Sequence, residues 1–417
     1  MLQLRRLLPA PLSRRAARSG RPTAIARLAG NRHSGHPRSR RRSLNVTRRA
    51  NDDDRYMAQA LALAMGGLGA VEPNPMVGCL IVRDGEIVGR GLHEQFGGPH
   101  AEVNALADAG ELAAGATAYV TLEPCCHQGK TPPCTQALIR AGVKRVVIGT
   151  TDPFREVGGR GIAELEAAGI QCDVGVRGAE AGWLLGPFRK LVETGGPWVI
   201  AKWAMTLDGK LATRTGNSQW ISSETSRAAV HQLRGRVDAV IVGSGTARAD
   251  NPLLTARPSS LTDVKRIATR VVVDSAASLS LDSRLVQTAP DVPVLVATGE
   301  AAPTDACQRL ADAGVEVFRC TGDTHEHRLT ALLEELGRRR MTNVLVEGGS
   351  KLLGALFDMR AVDEVHTFIA PKFAGGSTAP GPVGGLGIER MAKSLKLADI
   401  SIEELEGDVY VHGRVAR

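Results

Sequence analysis

The sequence contains few aromatic residues and no long apolar run. Aromatic side chains make up 3% of its 417 residues. No apolar stretch approaches the ~18 residues that a membrane-spanning helix requires, so we expect no membrane partner. No motif recurs at intervals of 20–50 residues, which excludes a repeat protein. The hydrophobic content of 43% and charged content of 23% are ordinary for a globular chain of two or three domains.

A disulfide framework is also missing. The seven cysteines are odd in number and irregularly spaced, whereas disulfide-rich domains carry even sets at regular spacings. We therefore expect a reducing compartment and a cytoplasmic location.

Acidic residues and lysine are absent from residues 1–50, which hold fourteen arginines. This composition is typical of an organellar transit peptide, but an upstream extension in a GC-rich bacterial gene has the same character. Under either interpretation we expect residues 1–50 to be a disordered tail, and the first makes the plastid the alternative location. The remaining residues 51–417 carry 38 basic and 44 acidic side chains, a formal charge of −6, which disfavours nucleic acid as a partner.

Strand and helix patterns alternate along residues 51–417, as in α/β proteins. Asp84-Gly85, between two apolar runs, predicts a hairpin. Gly195, Gly196 and Pro197 interrupt the alternation before a new strand pattern begins. We therefore expect one domain over residues 51–196 and a second over residues 197–417.

A metal-binding pattern occurs in the first of these domains. The segments PHAEVNAL and EPCCHQGKTPPC supply His100, Cys125 and Cys134 as ligands, together with Glu102 as a carboxylate that need not be one. Three protein ligands leave one coordination position open, which is typical of catalytic rather than structural zinc. Glu102 then has the role of the proton-transferring glutamate of zinc deaminases. The apolar spacing predicts helices that begin near His100 and near Cys134.

Two alternatives to a catalytic zinc remain open. The three residues could be unrelated core side chains, or they could form a structural site completed by Cys126 or His127. Adjacent residues at a helix entrance do not face the same way, which disfavours Cys126 as a ligand beside Cys125.

The second domain lacks a dinucleotide-binding fingerprint. Its nearest approach, VGSGTAR, has Arg248 at the third glycine position, so we expect no Rossmann fold. The segment VLVEGGSKLLGALF, by contrast, predicts a strand followed by Gly348-Gly349 and a helix whose first amides could bind a pyrophosphate. A sterically required glycine turn with no ligand explains the same pattern.

Several further motifs occur in a fixed order: PNPMVGCLIVRDGEIVGRG, TLDGKLAT, SQWIS, ADNPLLTAR and IAPKFAG. With the zinc motif, they make the chain from about Tyr56 onward resemble the bifunctional deaminase/reductases of riboflavin biosynthesis. The resemblance implies a cytidine-deaminase-like α/β/α domain followed by a dihydrofolate-reductase-like α/β domain. It implies that Zn²⁺ serves deamination of a phosphoribosylated diaminopyrimidinone and that NADPH serves reduction of its ribosyl group to ribityl. A homo-oligomer is also implied.

The resemblance assigns roles to individual residues. His100, Cys125 and Cys134 match the zinc ligands, Glu102 matches the proton shuttle and Asn74 matches a substrate-ring contact. The matching NADPH contacts are Ala204, Trp220, Thr246, Asp250, Gly349, Ser350, Lys351, Leu352, Leu353, Gly354 and Ala355. The matching substrate contacts are Ser218, Arg234, Leu254, Arg257 and Glu347, of which the two arginines suit a phosphate. The chain departs from the family pattern at Cys126, where serine is usual, and in its Arg-rich tail.

Overall fold

The computed structural model describes residues 37–128, 132–154, 158–257 and 264–416. The strands in these residues are β1 Gly78–Arg83, β2 Glu86–Leu92, β3 Thr117–Leu122, β4 Arg145–Thr150, β5 Gln171–Val174, β6 Trp198–Thr206, β7 Ala239–Gly243, β8 Thr269–Val273, β9 Val294–Gly299, β10 Glu316–Cys320, β11 Asn343–Glu347, β12 Glu364–Ala370, β13 Leu397–Leu405 and β14 Asp408–Val415. The α-helices are α1 Pro37–Ala64, α2 Ala101–Ala109, α3 Cys134–Arg140, α4 Arg160–Ala167, α5 Gly178–Leu184, α6 Gly186–Thr194, α7 Glu224–Arg234, α8 Ser244–Asp250, α9 Arg284–Gln287, α10 Thr304–Asp312, α11 His325–Arg338 and α12 Ser350–Asp358.

The first sheet has five strands in the order β2-β1-β3-β4-β5. The β1–β2 hairpin turns at Asp84-Gly85, and both residues have positive φ, as a tight hairpin turn requires. Strand β1 also pairs antiparallel with β3, whereas β3, β4 and β5 are parallel. The parallel part therefore brings the C-terminal ends of β3 and β4 to one edge.

Helices cover both faces of this sheet. Alternate strand residues face opposite sides, so Cys79 and Ile81 pack with the core that includes α2, whereas Leu80 packs with α1 and α5. A buried ion pair fixes α1 to the sheet: Arg145 Nη1 and Nη2 each donate to Asp53 at 2.7 Å. The result is the predicted α/β/α sandwich.

The second sheet has nine strands in the order β10-β9-β8-β7-β11-β6-β12-β14-β13. The seven strands from β10 to β12 are parallel, and β14 pairs antiparallel with β12. Strand β13 pairs antiparallel with β14 at the outer edge and so runs in the same direction as the seven. One face packs against α7 and α10 and the other against α11 and α12. Strand β11 lies between β7 and β6, so Glu347 at its end lies near the middle of the sheet.

Two elements differ from the sequence-based expectation. Helix α1 begins at Pro37, so residues 37–50 are helical rather than disordered, while residues 1–36 lie outside the described residues. Proline suits the first helical position, and the residues that follow include no further proline or glycine to end the helix before Gly66. Strand β13 was not predicted, because its charged residues and exposed apolar residues follow no burial pattern on an outer edge of the sheet. In the described part of the chain, no helix has both the length and the apolarity to cross a bilayer.

Candidate metal site and cofactor cavity

Three ligand-type side chains meet at the entrances of two helices. His100 is the residue before α2, Cys134 begins α3, and Cys125 lies in the loop after β3. His100 Nδ1 lies 3.2 Å from Cys134 Sγ and 3.5 Å from Cys125 Sγ, and the three ligand atoms all lie within 4.8 Å of one another. The Cys134 backbone N–H also points at Cys125 Sγ, at 3.4 Å. The fold thus brings together the three predicted ligands.

The electrostatics of the cluster favour a thiolate. A hydrogen bond from Cys134 lowers the pKa of Cys125 to about 4, with His100 contributing to the same shift. The same hydrogen bond raises the pKa of Cys134, so the two sulfurs share one proton. The hydrogen bond to Cys125 in turn raises the pKa of His100. A dication would replace the shared proton and attract both sulfurs.

The donor set fits zinc. Thiolate sulfur and imidazole nitrogen are its usual ligands, with bond lengths of about 2.3 Å and about 2.0–2.1 Å in a tetrahedron. Those bond lengths place nitrogen and sulfur ~3.5 Å apart, close to the two separations of 3.2 and 3.5 Å in the cluster. Among the described residues, neither Cys126 nor His127 belongs to the cluster. The geometry therefore supplies three protein ligands rather than four.

Glu102 is the second residue of α2 and lies beside this cluster. Its side chain is 4% exposed. Burial, assisted by Cys125, raises the pKa of Glu102 to about 7, although His100 acts against the shift. A cation at the neighbouring ligands would lower this pKa again. In the absence of a metal, Glu102 is thus a buried carboxyl group that can exchange a proton near neutral pH.

Two further residues near the metal site were missed by the sequence analysis. His93, just after β2, places Nε2 3.2 Å from Asn74 Nδ2, and its ring lies edge-on to His100 with centroids 5.4 Å apart. Asp152, after β4, has a pKa raised to about 6, chiefly by burial. The only available signal was their position just beyond predicted strands, where polar side chains often reach a site.

A cavity of about 1310 Å³ opens at the C-terminal ends of the central strands of the second sheet. This edge is the usual ligand position in open parallel sheets. The predicted residues that line the cavity are Ala204, Ser218, Trp220, Arg234, Thr246, Asp250, Leu254, Arg257, Glu347, Gly349, Ser350, Lys351 and Leu352. The fold thus gathers residues that are scattered over about 150 positions of the sequence.

Three predicted cofactor contacts do not lie at the cavity. Leu353, Gly354 and Ala355 are on the buried side of α12. Leu353 and Ala355 pack into the core of the second domain. A Cβ on Gly354 would lie 2.3 Å from the backbone of Gly384, so this glycine is required for helix packing. The structure therefore places these three residues away from the cavity lining, because a helix turns its successive residues away from any one surface. Their assignment as cofactor contacts stays a prediction.

The turn before α12 approaches the opposite wall closely. Gly348 and Gly349 have φ of 80° and 82°, and a Cβ on Gly349 would lie 3.2 Å from Thr246 Oγ1. Glycine is therefore required both by the backbone conformation and by the space. The first backbone N–H groups of α12 face this narrow part of the cavity and suit an anion.

Glu347 is a buried carboxylate in the lining of the cavity. Arg234 Nε and Nη2 donate to its two carboxylate oxygens at 2.5 and 2.8 Å, and Lys202 Nζ lies 3.9 Å away. Burial alone would raise the pKa of Glu347, but Arg234 and Lys202 outweigh burial and hold it at about 2. Glu347 is therefore ionised throughout the physiological pH range.

The two arginines that were predicted to bind phosphate differ in availability. The guanidinium group of Arg234 is engaged in the bidentate pair with Glu347, so it does not offer a free fork to a phosphate. Arg257 is exposed at the rim, and among the described residues no carboxylate pairs with it. The arginine of this pair that suits a phosphate is Arg257.

An exposed aromatic residue marks the mouth of the cavity. Trp220 is 65% exposed, and the Arg227 guanidinium lies over its ring, 4.7 Å from the centroid. Ser218 Oγ donates to Asp250 at 3.4 Å across the same opening. His231 also lines the cavity, and burial with the nearby Arg234 lowers its pKa to about 4. The sequence analysis missed His231, although it precedes Arg234 by three positions on one face of α7.

Comparisons with known proteins agree with this division. Residues 50–150 match the family described as the cytidine and deoxycytidylate deaminase zinc-binding region. Residues 197–411 match the family described as the RibD C-terminal domain. The chain is 43% identical over 358 residues to the riboflavin biosynthesis protein RibD of Actinobacillus pleuropneumoniae, covering 85% of this chain and 93% of that protein. It is 41% identical over 371 residues to the Escherichia coli RibD, covering 86% and 98%.

Solved structures show the same similarity. Acinetobacter baumannii RibD superposes with a TM-score of 0.77 at 36% identity and covers 88% of this chain and 100% of its own. A Thermotoga maritima protein, described as a diaminohydroxyphosphoribosylaminopyrimidine deaminase/5-amino-6-(5-phosphoribosylamino)uracil reductase, has a TM-score of 0.75 at 36% identity with the same coverage. With the metal ligands and the cofactor cavity both in place, the chain belongs to the RibD family of riboflavin biosynthesis proteins.

Proposed function

We propose that this chain catalyses two consecutive reactions of riboflavin biosynthesis. The first is hydrolytic, zinc-dependent deamination of 2,5-diamino-6-(5-phosphoribosylamino)pyrimidin-4(3H)-one, and the second is NADPH-dependent reduction of its ribosyl group to ribityl. We assign the first reaction to residues 51–196 and the second to residues 197–417. Support comes from the family membership and from a relative that is described as having both activities.

The observation that carries the first assignment is the buried carboxyl group of Glu102 beside three metal-ligand atoms. His100, Cys125 and Cys134 would hold Zn²⁺, which when bound supplies a Lewis acid for hydrolysis. Glu102 takes a proton from the attacking water and delivers it to the departing amine. The net reaction replaces the exocyclic amine with an oxygen atom from water and releases ammonia. Asn74, oriented by its contact with His93, contacts the pyrimidine ring.

The second assignment gives different residues of the large cavity different binding roles. NADPH, when bound, supplies the hydride, and we assign its pyrophosphate to the N-terminus of α12 near Gly349 and Thr246. Arg257 at the rim binds the substrate phosphate. Glu347 remains ionised because Arg234 and Lys202 pair with it, and it accepts hydrogen bonds from the ribosyl hydroxyls. The remaining lining residues shape the pocket.

The test supplies the diaminopyrimidinone substrate to the full-length protein, with and without NADPH, and follows ammonia and NADPH separately. Ammonia should appear without NADPH, and NADPH should be oxidised only after deamination. NADPH oxidation that precedes ammonia release would contradict the order, and absence of ammonia from zinc-loaded protein would contradict the first activity.

Two properties of the whole protein are part of the proposal. We place it in the cytoplasm, a location supported by seven cysteines that all remain unbridged. We also propose that it forms a homo-oligomer. Sedimentation velocity over a range of concentrations tests the assembly, and a single species of 44.1 kDa would contradict it.

A further inference from the structure

A short turn of the first domain lies against the second domain. This turn, residues 69–74, precedes β1 and ends at Asn74. A Cβ on Gly69 would lie 2.7 Å from Arg236 Cβ and 3.3 Å from Lys265 Cβ, so the backbones approach closely. Arg266 Nη2 donates to the Glu72 carbonyl oxygen at 2.8 Å. The turn that carries Asn74 is therefore in direct contact with Arg236, Lys265 and Arg266.

The side chain of Glu72 is buried inside this contact. It is 5% exposed, and its Oε1 accepts from the Gly69 backbone N–H at 3.1 Å and from Asn343 Nδ2 at 3.5 Å. Its Oε2 has no hydrogen-bond partner among the described residues. Burial raises the pKa of Glu72, although Arg266 and Arg236 lower it. The carboxyl group thus holds the turn closed and also reaches the first residue of β11.

Asp238 fixes the two partners of Glu72. Its carboxylate accepts from the Asn343 backbone N–H at 2.9 Å, from the Thr342 backbone N–H at 2.8 Å and from Arg266 Nη1. Arg266 and Asn343 are therefore held at the N-terminal ends of β7 and β11. The cofactor cavity opens at the opposite ends of these strands, where Glu347 ends β11. We call the contact between Glu72 and its partners Arg266 and Asn343 the junction. A substitution at the junction can therefore affect the first domain without altering the cavity.

The turn transmits its position to Asn74. The Asn74 backbone N–H donates to the Val71 carbonyl oxygen at 2.9 Å, and Val71 is fully buried. The Asn74 side chain then reaches His93 at 3.2 Å. Because Asn74 lies two residues after Glu72, a shift of Glu72 displaces the side-chain amide of Asn74 relative to the metal ligands. Small misplacements of a group in an active site strongly reduce activity.

We propose that Glu72, clamped by Arg266 and Asn343, is a positioning residue of the deaminase site, so that the reductase half sets the position of Asn74. This inference rests on the proposed function, in which Asn74 contacts the pyrimidine substrate. It predicts dependence in one direction only: changes at the junction alter deamination, while reduction in the distant cavity is unaffected.

The test measures both activities of full-length Arg266→Ala and Glu72→Ala, with the deaminated substrate supplied for the reductase assay. We expect the KM of deamination to rise about tenfold, as loss of a charge-assisted hydrogen bond allows, with kcat changed by less than about threefold. Reductase constants should stay at wild-type values. Glu72→Gln, which keeps the acceptor for Gly69, should recover most of the loss. Arg309→Ala is the matched control and should change neither activity, because Arg309 is an exposed arginine that pairs with Asp305 on its own helix.

Three results separate the possible failures. If Asn74→Ala leaves the deaminase KM unchanged, the proposed substrate contact of Asn74 is wrong, and the inference fails with it. If Asn74→Ala raises KM but Arg266→Ala and Glu72→Ala do not, the positioning role alone is overturned. If both activities fall in parallel in Arg266→Ala and in the milder Arg266→Lys, the junction is merely structural and the positioning role is also overturned.

Discussion

The two halves of the molecule each bury one glutamate at the centre of a site, and the pKa values of these two glutamates are shifted in opposite directions. Glu102 is 4% exposed and Glu347 is 9% exposed, so burial is nearly equal. The pKa of Glu102 is raised to about 7, whereas the pKa of Glu347 is held at about 2. The difference comes from their neighbours: Cys125 adds negative charge near Glu102, while Arg234 and Lys202 surround Glu347 with positive charge.

This contrast assigns different work to the two carboxyl groups. Glu102 can gain and lose a proton, as an acid–base catalyst must, and a cation at the neighbouring ligands would lower its pKa from about 7. Glu347 stays ionised and pairs with Arg234 and Lys202. The effects on stability are opposite in sign. In zinc-free protein, the protonated Glu102 contributes fully to the free energy of unfolding below pH ~4.3. This contribution is lost as the pH rises through about 7. Glu347 stabilises the fold above pH ~4.3, and this contribution is lost as the pH falls towards about 2.

Removal of a metal ligand should have the largest effect. It should abolish the activity of the first half and leave the activity of the second half intact. Cys125→Ser should lose bound zinc and all ammonia release, because two ligands remain and affinity depends on the full set. NADPH-dependent reduction of supplied deaminated substrate should persist. Zinc content is measured by atomic absorption alongside both assays. Cys126→Ser is the matched control, and a loss of zinc in that variant would contradict the three-ligand assignment.

Glu102→Gln should abolish the proton transfer while the metal stays bound. We expect ammonia release to fall by about 10²–10⁴-fold, the usual contribution of a positioned acid–base group, with unchanged zinc content. Glu111→Gln, an exposed residue just after the same helix, should behave as wild type. A Glu102→Gln protein that retained normal turnover would show that the proton carrier lies elsewhere.

Arg234→Ala should destabilise the second half and leave the first unaffected. The substitution removes the bidentate partner of the buried Glu347 carboxylate. Because a buried charge without its partner is unfavourable, the free energy of unfolding should fall by about 3–5 kcal/mol. Urea denaturation at neutral pH, followed by far-ultraviolet circular dichroism, measures this change. The double variant Arg234→Met/Glu347→Leu should recover most of the stability. A fall below about 1 kcal/mol would mean that Lys202 alone compensates Glu347.

Arg257→Ala should have the smallest effect, confined to phosphate recognition. We expect the KM of the reductase for its phosphorylated substrate to rise about tenfold, whereas the KM for the dephosphorylated analogue should not change. Arg309→Ala again serves as the surface control. Equal KM increases for both substrates would assign Arg257 a structural role instead.

The sequence predicted the metal site far better than the cavity, for a physical reason. His100, Cys125 and Cys134 come from two short motifs at helix entrances, so ligand chemistry and local structure coincide in the sequence. The α/β order and most strands followed from the hydrophobic pattern, and the hairpin followed from the turn residues Asp84-Gly85. The edge strand β13 did not, because it buries too little to show a pattern.

The cavity residues depend on tertiary packing that periodicity does not encode. Arg234 carries no sequence signal that it pairs with a glutamate 113 positions later. Leu353, Gly354 and Ala355 were assigned to the cofactor as part of a continuous run, yet helix geometry turns them into the core. The contact between Glu72 and Asn343 joins the two halves and was equally invisible in the sequence.

The opposite pKa shifts of Glu102 and Glu347 can be measured by difference infrared spectroscopy. The observed signal is the carboxyl C=O band of the zinc-free protein between pH 4 and 8. We expect a protonated-carboxyl band that titrates with a midpoint near 7 and disappears in Glu102→Gln, and no band in this range that depends on Glu347. A Glu102 carboxyl group that is already fully ionised at pH 5, or a Glu347 band that titrates above pH 4, would show that the neighbouring charges do not shift the two pKa values in opposite directions.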